Sequence, residues 1–277
     1  MNAGVEFHGL SFNPRGPVLT GIVERGRKVA VVGESASGKS RLLRCVLQVE
    51  SPARGRVQLS GPAVPAGLEG AGSRATPQTI ARRLAGPSSA TPIAEALSAC
   101  RLWEVRHAPI SSLPAGRRAA CELLPCLLQR ASVLVVDGVF DRLDPWTASE
   151  VFSALDAKLR AGAVLVFATN DLSLAEAADD VIVMRKGSPV FFGSLDALLN
   201  GDGPALLEVE TENRPGVRAL VDPLTVQIEE REGGMTMRVP DGGETAVKLL
   251  LQGYGDVKLV AVLRPRLRDV LMDRFGG

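Results

Sequence analysis

One segment near the start of the chain, KVAVVGESASGKSRLLRCVLQ, constrains the fold more than any other. It joins an apolar run (29–32) to a helical pattern through the loop GESASGKS (33–40), which fits the pattern G-x-x-x-x-G-K-[ST]. Glycines let such a loop turn tightly and point its N–H groups inward, and the helix that follows begins with a partial positive charge. The segment therefore predicts a strand, a phosphate-binding loop and a helix in succession.

The residue types of this loop predict ATP and Mg²⁺ as ligands. Lys39 would bridge the β and γ phosphates, and the Ser40 hydroxyl would ligate Mg²⁺. A glycine- and serine-rich loop can match the pattern by chance, but here the strand and helix context agrees with it. The predicted nucleotide-binding residues are Gly33, Glu34, Ser35, Ala36, Ser37, Gly38, Lys39, Ser40 and Arg41.

Two further apolar runs, VLVV (133–136) and VLVF (164–167), are short, rich in valine and followed by helical patterns. This alternation predicts a parallel sheet covered on both faces, with its ligand site at the carboxyl ends of the strands. Asp137 follows the VLVV run and would complete the metal site through water, although an ordinary turn aspartate is the alternative. The predicted fold class is α/β, of the P-loop nucleoside triphosphatase type.

The rest of the chain predicts a second domain and an insertion. Residues 51–112 are broken by proline and glycine clusters, which predicts a loop-rich stretch with one or two helices. We expect a nucleotide-binding domain over 1–203, with a helical insertion at about 79–125. A small C-terminal α+β domain is expected over 204–277, where ALLEVE, LTVQIEER, MTMRVP and VKLVAVL alternate like half-buried strands and TAVKLLLQGYG is helical.

Charge and composition exclude some classes of function. The 277 residues include 32 Lys and Arg against 31 Asp and Glu, a net charge of +1, so nucleic acid is not an expected partner. The four cysteines form no CxxC pair, which indicates reduced thiols in a cytoplasmic protein. The N-terminus lacks the blocks of a signal peptide, and the apolar runs are far below the ~20 residues that span a bilayer. Any membrane-spanning helices are expected to come from a partner.

Several ordered landmarks resemble the ATP-binding subunit of ABC transporters, and the resemblance covers nearly the whole chain. GESASGKS is similar to the Walker A loop and VLVVDG to Walker B, and Leu113 lies 24 residues before Asp137, the family's spacing from signature to Walker B. The remaining landmarks are Gln78 at the Q-loop, LPAGR (113–117) at the LSGGQ signature, LDP (143–145) at the D-loop and TND (169–171) at the switch histidine.

The resemblance implies a dimer in which each ATP lies between the Walker motifs of one domain and the signature of the other. It implies Asp137, Gln78 and Asn170 as residues on the catalytic side, and Ser40, Gln78 and Asp137 around the metal. It also implies integral-membrane permease partners, a second ABC ATPase subunit and a peripheral location at the cytoplasmic face of the membrane. The residues implied at the dimer interface are Leu113, Pro114, Ala115, Gly116, Arg117 and Asp144.

The chain departs from the family pattern on the hydrolytic side. Gly138 stands where the family has the glutamate that polarises water, and Asn170 stands where it has a histidine. Pro114 replaces the signature serine and has neither a hydroxyl nor a backbone N–H. Because loss of a catalytic base typically costs about 10² to 10⁴ in rate, these changes predict a site that hydrolyses ATP slowly or not at all.

Alternatives remain open at this stage. Asp141 could substitute for the missing glutamate in an active homodimer, although it falls in the D-loop region along the dimer interface. Phe12 is either a core residue or an adenine platform. A third interpretation, besides an impaired subunit and an active homodimer, is a regulatory or scaffold P-loop protein without a transporter. The tail RPRLRDVLMDRF makes it the weakest of the three, because this tail resembles the ending of ATPases from type-2 exporters.

Overall fold

The computed structural model describes residues 3–72, 74–86, 90–200, 205–221, 227–231, 234–239, 257–263 and 266–275. It divides into two compact units, Met1–Ser194 and Leu195–Gly277. The boundary predicted between residues 203 and 204 lies outside the described residues.

The first unit contains nine described strands and seven described helices. The strands are β1 (Ala3–Ser11), β2 (Leu19–Glu24), β3 (Lys28–Val32), β4 (Arg54–Leu59), β5 (Ala63–Pro65), β6 (Val133–Asp137), β7 (Val164–Ala168), β8 (Asp180–Arg185) and β9 (Ser188–Ser194). The helices are α1 (Lys39–Val46), α2 (Pro77–Ala85), α3 (Ala90–Ala99), α4 (Ala115–Glu122), α5 (Leu124–Leu128), α6 (Pro145–Arg160) and α7 (Leu172–Ala175), with 3₁₀ turns at Ile110–Ser112 and Phe140–Arg142.

The core of this unit is a six-stranded sheet in the order β5-β6-β7-β3-β8-β9. Its strands are parallel except β9, which pairs antiparallel with β8. The three valine-rich runs form β3, β6 and β7, and their apolar residues are buried because helices cover the sheet. The predicted α/β class is confirmed, and the carboxyl ends of these three strands meet at one edge of the sheet.

A second sheet of the same unit is antiparallel, in the order β2-β1-β4. Val5 and Phe7 of β1 point into the shared core, and the Phe7 ring meets Phe192 of β9 edge to face with centroids 5.9 Å apart. The expectation that residues 51–112 are loop-rich is wrong at their start, where β4 and β5 lie. The sequence RGRVQL of β4 is mostly exposed, so it lacks the apolar signal that a buried strand would give.

The helices between β5 and β6 bury several apolar side chains and thiols. Leu97 and Leu102 are fully buried there, together with the thiols of Cys100, Cys121 and Cys126. Burial raises the pKa of Cys121 and of Cys126 to about 12, so both thiols stay protonated. Of the helices that the structure describes, none is long and apolar enough to cross a membrane.

The second unit is built on a four-stranded antiparallel sheet. Its described elements are α8 (Leu195–Asn200), β10 (Ala205–Thr211), α9 (Arg214–Val221), β11 (Gln227–Arg231), β12 (Gly234–Val239), β13 (Val257–Leu263) and α10 (Leu267–Phe275). The strand order is β11-β12-β10-β13. The four segments predicted as strands all contain one, whereas the helix predicted at TAVKLLLQGYG lies outside the described residues. Leu207, Val209 and Met237 form part of its buried interior.

Candidate functional site

The loop between β3 and α1 has a backbone shape that its glycines make possible. Gly33 has a φ of 147°, and a Cβ added there would lie 2.1 Å from the carbonyl oxygen of Met184. Ala36 and Gly38 have φ values of 62° and 101°, in the left-handed region. Any larger residue at position 33 would therefore collide with β8. Glycine at this position allows the loop to lie close to that strand.

The turn between β8 and β9 supports this loop. The N–H of Gly187 donates to the carbonyl oxygen of Ser37 at 3.0 Å, and the N–H of Ser37 donates to Glu34 at 3.1 Å. The Ser37 side chain is buried, and its hydroxyl has no hydrogen-bond partner among the described residues. A buried polar group without a partner costs free energy, and an oxygen-rich ligand in the loop would remove that cost.

Lys39 lies at the first position of α1 and folds back over the loop. Its Nζ donates to the carbonyl oxygens of Gly33 at 2.7 Å and Glu34 at 2.9 Å. Partial burial lowers the pKa of Lys39, while the carboxylates of Asp141 and Asp137 act in the opposite direction. The ammonium therefore already lies in the loop. It interacts electrostatically with Asp137 at the end of β6 and with Asp141 in the turn that follows.

These features fit a bound phosphate chain. Gly38 is the N-cap residue of helix α1 and provides no side-chain hydrogen bond, so the amides of the first helical turn remain available as donors. The Lys39 ammonium, the Ser37 hydroxyl and the loop amides are all hydrogen-bond donors, which suits an anionic ligand. Ser40 follows Lys39 on the same turn, where its hydroxyl could ligate a Mg²⁺ bound with the phosphates.

Asp137 ends β6 with an exposed side chain, and it pairs in register with Ala168 of β7. Because β7 separates β6 from β3, Asp137 and the start of the phosphate loop lie two strand spacings apart, about 10 Å. Gly138 follows with a φ of 62°, and a Cβ added there would meet nothing within 4 Å. The position thus has room for a side chain but carries none.

The turn Phe140–Arg142 is anchored to α6 and β7 by aromatic packing. The buried Phe140 ring stacks on Phe152 of α6 at 4.4 Å and meets Phe167 of β7 edge to face at 5.7 Å. This anchor leaves the next two residues, Asp141 and Arg142, on the exposed side of the turn. The turn is therefore a fixed platform at the carboxyl end of the sheet.

The Asp141 carboxylate contacts the loop that follows β7. The Thr169 hydroxyl donates to Oδ1, the Asn170 N–H donates to Oδ2 at 2.8 Å, and the Asn170 side-chain amide lies 3.4 Å from Oδ2. Both oxygens of Asp141 therefore accept hydrogen bonds from donors within the chain, and its place along a dimer interface stays a prediction. Sequence reasoning missed these contacts because 28 residues separate Thr169 from Asp141.

Arg142 extends from the same turn toward α4. Its guanidinium donates to both oxygens of Glu122, at 2.9 and 2.5 Å, and this pairing raises the pKa of Arg142. The turn is consequently tied to the loop after β7 by Asp141 and to the end of α4 by Arg142.

Comparison with known proteins decides the family of this region. The protein-family model of the ABC transporter matches residues 18–140, which include the phosphate loop and the strand that ends at Asp137. Residues 18–140 form an ABC transporter domain.

Solved structures with the same fold agree with this result. An ATP-binding subunit of an ABC transporter superposes with a TM-score of 0.60 at 21% identity, over 71% of this chain and 92% of that chain. A bacterial Atm1-family ABC exporter with ATP bound gives 0.62 at 19% identity, over 73% of this chain and 40% of that chain. An ABC transporter of the metal-chelate type, in an inward-facing conformation, gives 0.58 at 21% identity, over 87% of this chain and 98% of that chain.

Within the ABC domain, Gln78 does not follow the strand next to β6. That strand is β5, and the residue after it is Ala66, whose N–H donates to Val135 at 2.7 Å. Gln78 lies in the first turn of α2, where its N–H donates to Arg106 and its side-chain oxygen is buried with no partner among the described residues. Its role as a metal ligand stays a prediction.

The segment predicted as the signature, residues 113–117, lies at the start of α4. Leu113 is buried, whereas Pro114, Ala115 and Arg117 are exposed and Gly116 is half-buried. Pro114 caps the helix with no side-chain hydrogen bond, so the first-turn amides of α4 stay available as donors. The segment is accessible to a partner, but the serine hydroxyl of the family pattern is absent.

Asp144 has a structural task in addition to its predicted place in the D-loop. Its carboxylate caps α6, accepting from the Thr147 N–H at 2.9 Å and the Thr147 hydroxyl at 2.7 Å. The hydroxyl bond, more than any other cause, lowers the pKa of Asp144. Trp146, two residues on, is 70% exposed.

The side chains of Phe12 and Arg41 contact each other at the edge of the hydrophobic core. Phe12 is 8% exposed, and the Arg41 guanidinium covers its ring at 4.7 Å from the centroid. Arg41 also donates from Nε to Glu50 at 2.6 Å. Phe12 therefore belongs to the core in this structure, and Arg41 is paired within the chain.

Proposed function

We propose that this chain is the nucleotide-binding subunit of an ABC exporter, that it binds Mg-ATP and dimerises on it, and that its own site hydrolyses ATP slowly or not at all. The observation that carries the proposal is a complete phosphate loop at the sheet edge where β6 ends in Asp137 and is followed by Gly138. The site keeps the groups that bind phosphate and lacks the group that would activate water.

The binding half of the proposal rests on the loop geometry. The loop amides and Lys39 would hold the phosphates, while Ser40 and Asp137 would hold Mg²⁺, with Gln78 as a further predicted ligand. Bound Mg²⁺ would neutralise charge on the phosphate oxygens. Lys39 already rests on two loop carbonyls, so binding requires only that its ammonium turn from those carbonyls to the phosphates.

The catalytic half rests on three positions. A glycine at 138 has no group that could orient a water molecule, and proline at 114 cannot donate a hydrogen bond to a phosphate across a dimer. Asn170 can form hydrogen bonds but does not titrate near neutral pH. All three changes lie on the hydrolytic side, which favours retention of ATP over its turnover.

The proposed partners are an integral-membrane permease and a catalytically competent ABC ATPase, which would place the chain at the cytoplasmic face of a membrane. In such a pair, the partner's Walker motifs would face the altered signature at Leu113–Arg117. The tail RPRLRDVLMDRF supports the type-2 exporter class, and one of the proteins with the same fold is itself described as an exporter with ATP bound. The cargo is not part of the proposal.

The rival function is an active homodimeric ATPase in which Asp141 replaces the glutamate. The hydrogen bonds from Thr169 and Asn170 disfavour it, because they hold the carboxylate against the loop that follows β7. A regulatory or scaffold role without a transporter stays the weakest interpretation, since it leaves the exporter-like tail without an explanation.

Nucleotide binding and steady-state ATP turnover of the purified chain test the proposal. We expect Mg-ATP binding that is lost in Lys39→Ala, turnover at the background level of Lys39→Ala, and a rise in turnover in Gly138→Glu but not in Gly138→Ala. Fast turnover by the unmodified chain, abolished in Lys39→Ala, would refute the catalytic half. Absence of ATP binding would refute the binding half.

A further inference from the structure

Asn170 depends on Asp141 for its position. The residues on either side have other anchors: the Thr169 N–H donates to Val31 at 3.2 Å, and Asp171 caps α7 through Ser173 at 2.9 Å. Among the described contacts, the hydrogen bonds of Asn170 itself both go to Oδ2 of Asp141, one from its main chain and one from its side chain.

The supporting contact on the other carboxylate oxygen is buried. Thr169 is 1% exposed, and its hydroxyl donates to Oδ1 of Asp141 while accepting from the Asp171 N–H at 2.9 Å. The backbone next to Asp141 is anchored, because the neighbouring Phe140 packs against Phe152 and Phe167. The carboxylate thus accepts hydrogen bonds on both oxygens, and the Asn170 side-chain amide faces it at 3.4 Å.

We propose that Asp141 is a positioning residue that acts on bound ATP through Asn170. With one side-chain N–H directed to Asp141, the Asn170 carboxamide has a second N–H that remains available for a terminal phosphate. This inference rests on the proposed function, since it assumes that nucleotide binds in the loop at residues 33–40. It assigns to Asp141 a role in nucleotide discrimination, separate from water activation.

The charge of Asp141 also affects nucleotide binding directly, and the experiment has to distinguish this effect from the positioning of Asn170. Asp141 acts electrostatically on Lys39, so removing its charge favours any anionic ligand of the loop, ADP as well as ATP. Releasing Asn170, in contrast, weakens only a ligand that carries the terminal phosphate. The ratio of the two dissociation constants, Kd for ATP over Kd for ADP, therefore reports positioning.

The experiment measures Mg-ATP and Mg-ADP binding to the full chain by calorimetry in a double-mutant cycle. We expect Asp141→Asn and Asn170→Ala each to raise the ATP/ADP ratio of dissociation constants about fivefold. Combining them should raise it no further, because both act through one contact. Asp156→Asn, which removes an exposed carboxylate beside Lys28, is the matched control and should leave the ratio unchanged.

An unchanged ratio in Asp141→Asn, or effects of the two substitutions that multiply, would overturn the proposal. Hydrogen exchange of the Asn170 amide without nucleotide provides a second measurement. We expect faster exchange in Asp141→Asn, and unchanged exchange would also count against the proposal. If the unmodified chain bound no nucleotide, the proposed function would fail, and the exchange result would still decide whether Asp141 holds Asn170.

Discussion

Substitution of Gly138 by alanine isolates the cost of backbone conformation at the candidate site. Its φ of 62° is in the left-handed region, and an added Cβ meets no atom within 4 Å, so alanine brings strain without a clash. An L-residue in that region costs roughly 1–2 kcal/mol. For a unit of this size a loss of 1 kcal/mol lowers Tm by about 2–4 °C, so we expect Gly138→Ala to lower the apparent Tm by about 2–8 °C.

Two matched variants test the reasoning by thermal unfolding of the nucleotide-free chain, followed by circular dichroism. Gly138→Asn should lose less than half as much as alanine, because asparagine tolerates the left-handed region. Gly33→Ala should lose far more, since its Cβ would lie 2.1 Å from the Met184 oxygen. Equal losses for alanine and asparagine at 138, or no loss for alanine, would refute the argument. Gly138→Ala also matches Gly138→Glu in strain, which makes it the proper control for turnover.

The remaining predictions concern a helix cap and the thiols. Asp144→Ala should destabilise the chain by about 1 kcal/mol at neutral pH, because it removes the cap on Thr147, and Asp144→Asn should cost less. Since the folded pKa of Asp144 is lowered, the charge-dependent part of its contribution is present above about pH 4 and is lost as the pH falls further. Urea unfolding at several pH values checks this, and a stability difference between the unmodified chain and Asp144→Asn that grew in acid would contradict it. Burial raises the pKa of Cys45 to about 11 and that of Cys121 and Cys126 to about 12, and it also raises the pKa of Cys100. All four thiols should therefore resist iodoacetamide at about pH 8 until the chain is unfolded, as mass spectrometry would report; alkylation of the folded chain would show that these sites open.

The sequence predicted the parts of the site that are local in the chain. A phosphate loop needs its glycines, lysine and serine within eight consecutive positions, so GESASGKS could be recognised by itself. The strands β3, β6 and β7 could be predicted because burial on both faces of a parallel sheet requires unbroken apolar runs. Gly138 and Pro114 were equally visible, since each is a departure within a short motif.

The parts that were missed depend on contacts between distant residues. Strand β4 is exposed along most of its length, so no apolar pattern marked it. Gln78 stays a predicted metal ligand, but its position in α2 was not foreseen, and Ala66 is the residue that follows β5, beside β6. Strand order is a property of pairing between segments, and a short edge strand such as β5 carries little sequence signal.

The amino-acid sequence alone was enough to predict a loop of the phosphate-binding pattern, three buried strands and an acidic residue at the end of β6, because each of these features lies in one continuous segment. The contacts of Asp141 and Arg142, in contrast, are visible only in the folded chain. Asp141 meets Thr169 across 28 positions and Arg142 meets Glu122 across 20, and such pairs form only when the sheet and its helices pack together. The platform at Phe140–Arg142 is therefore a product of packing.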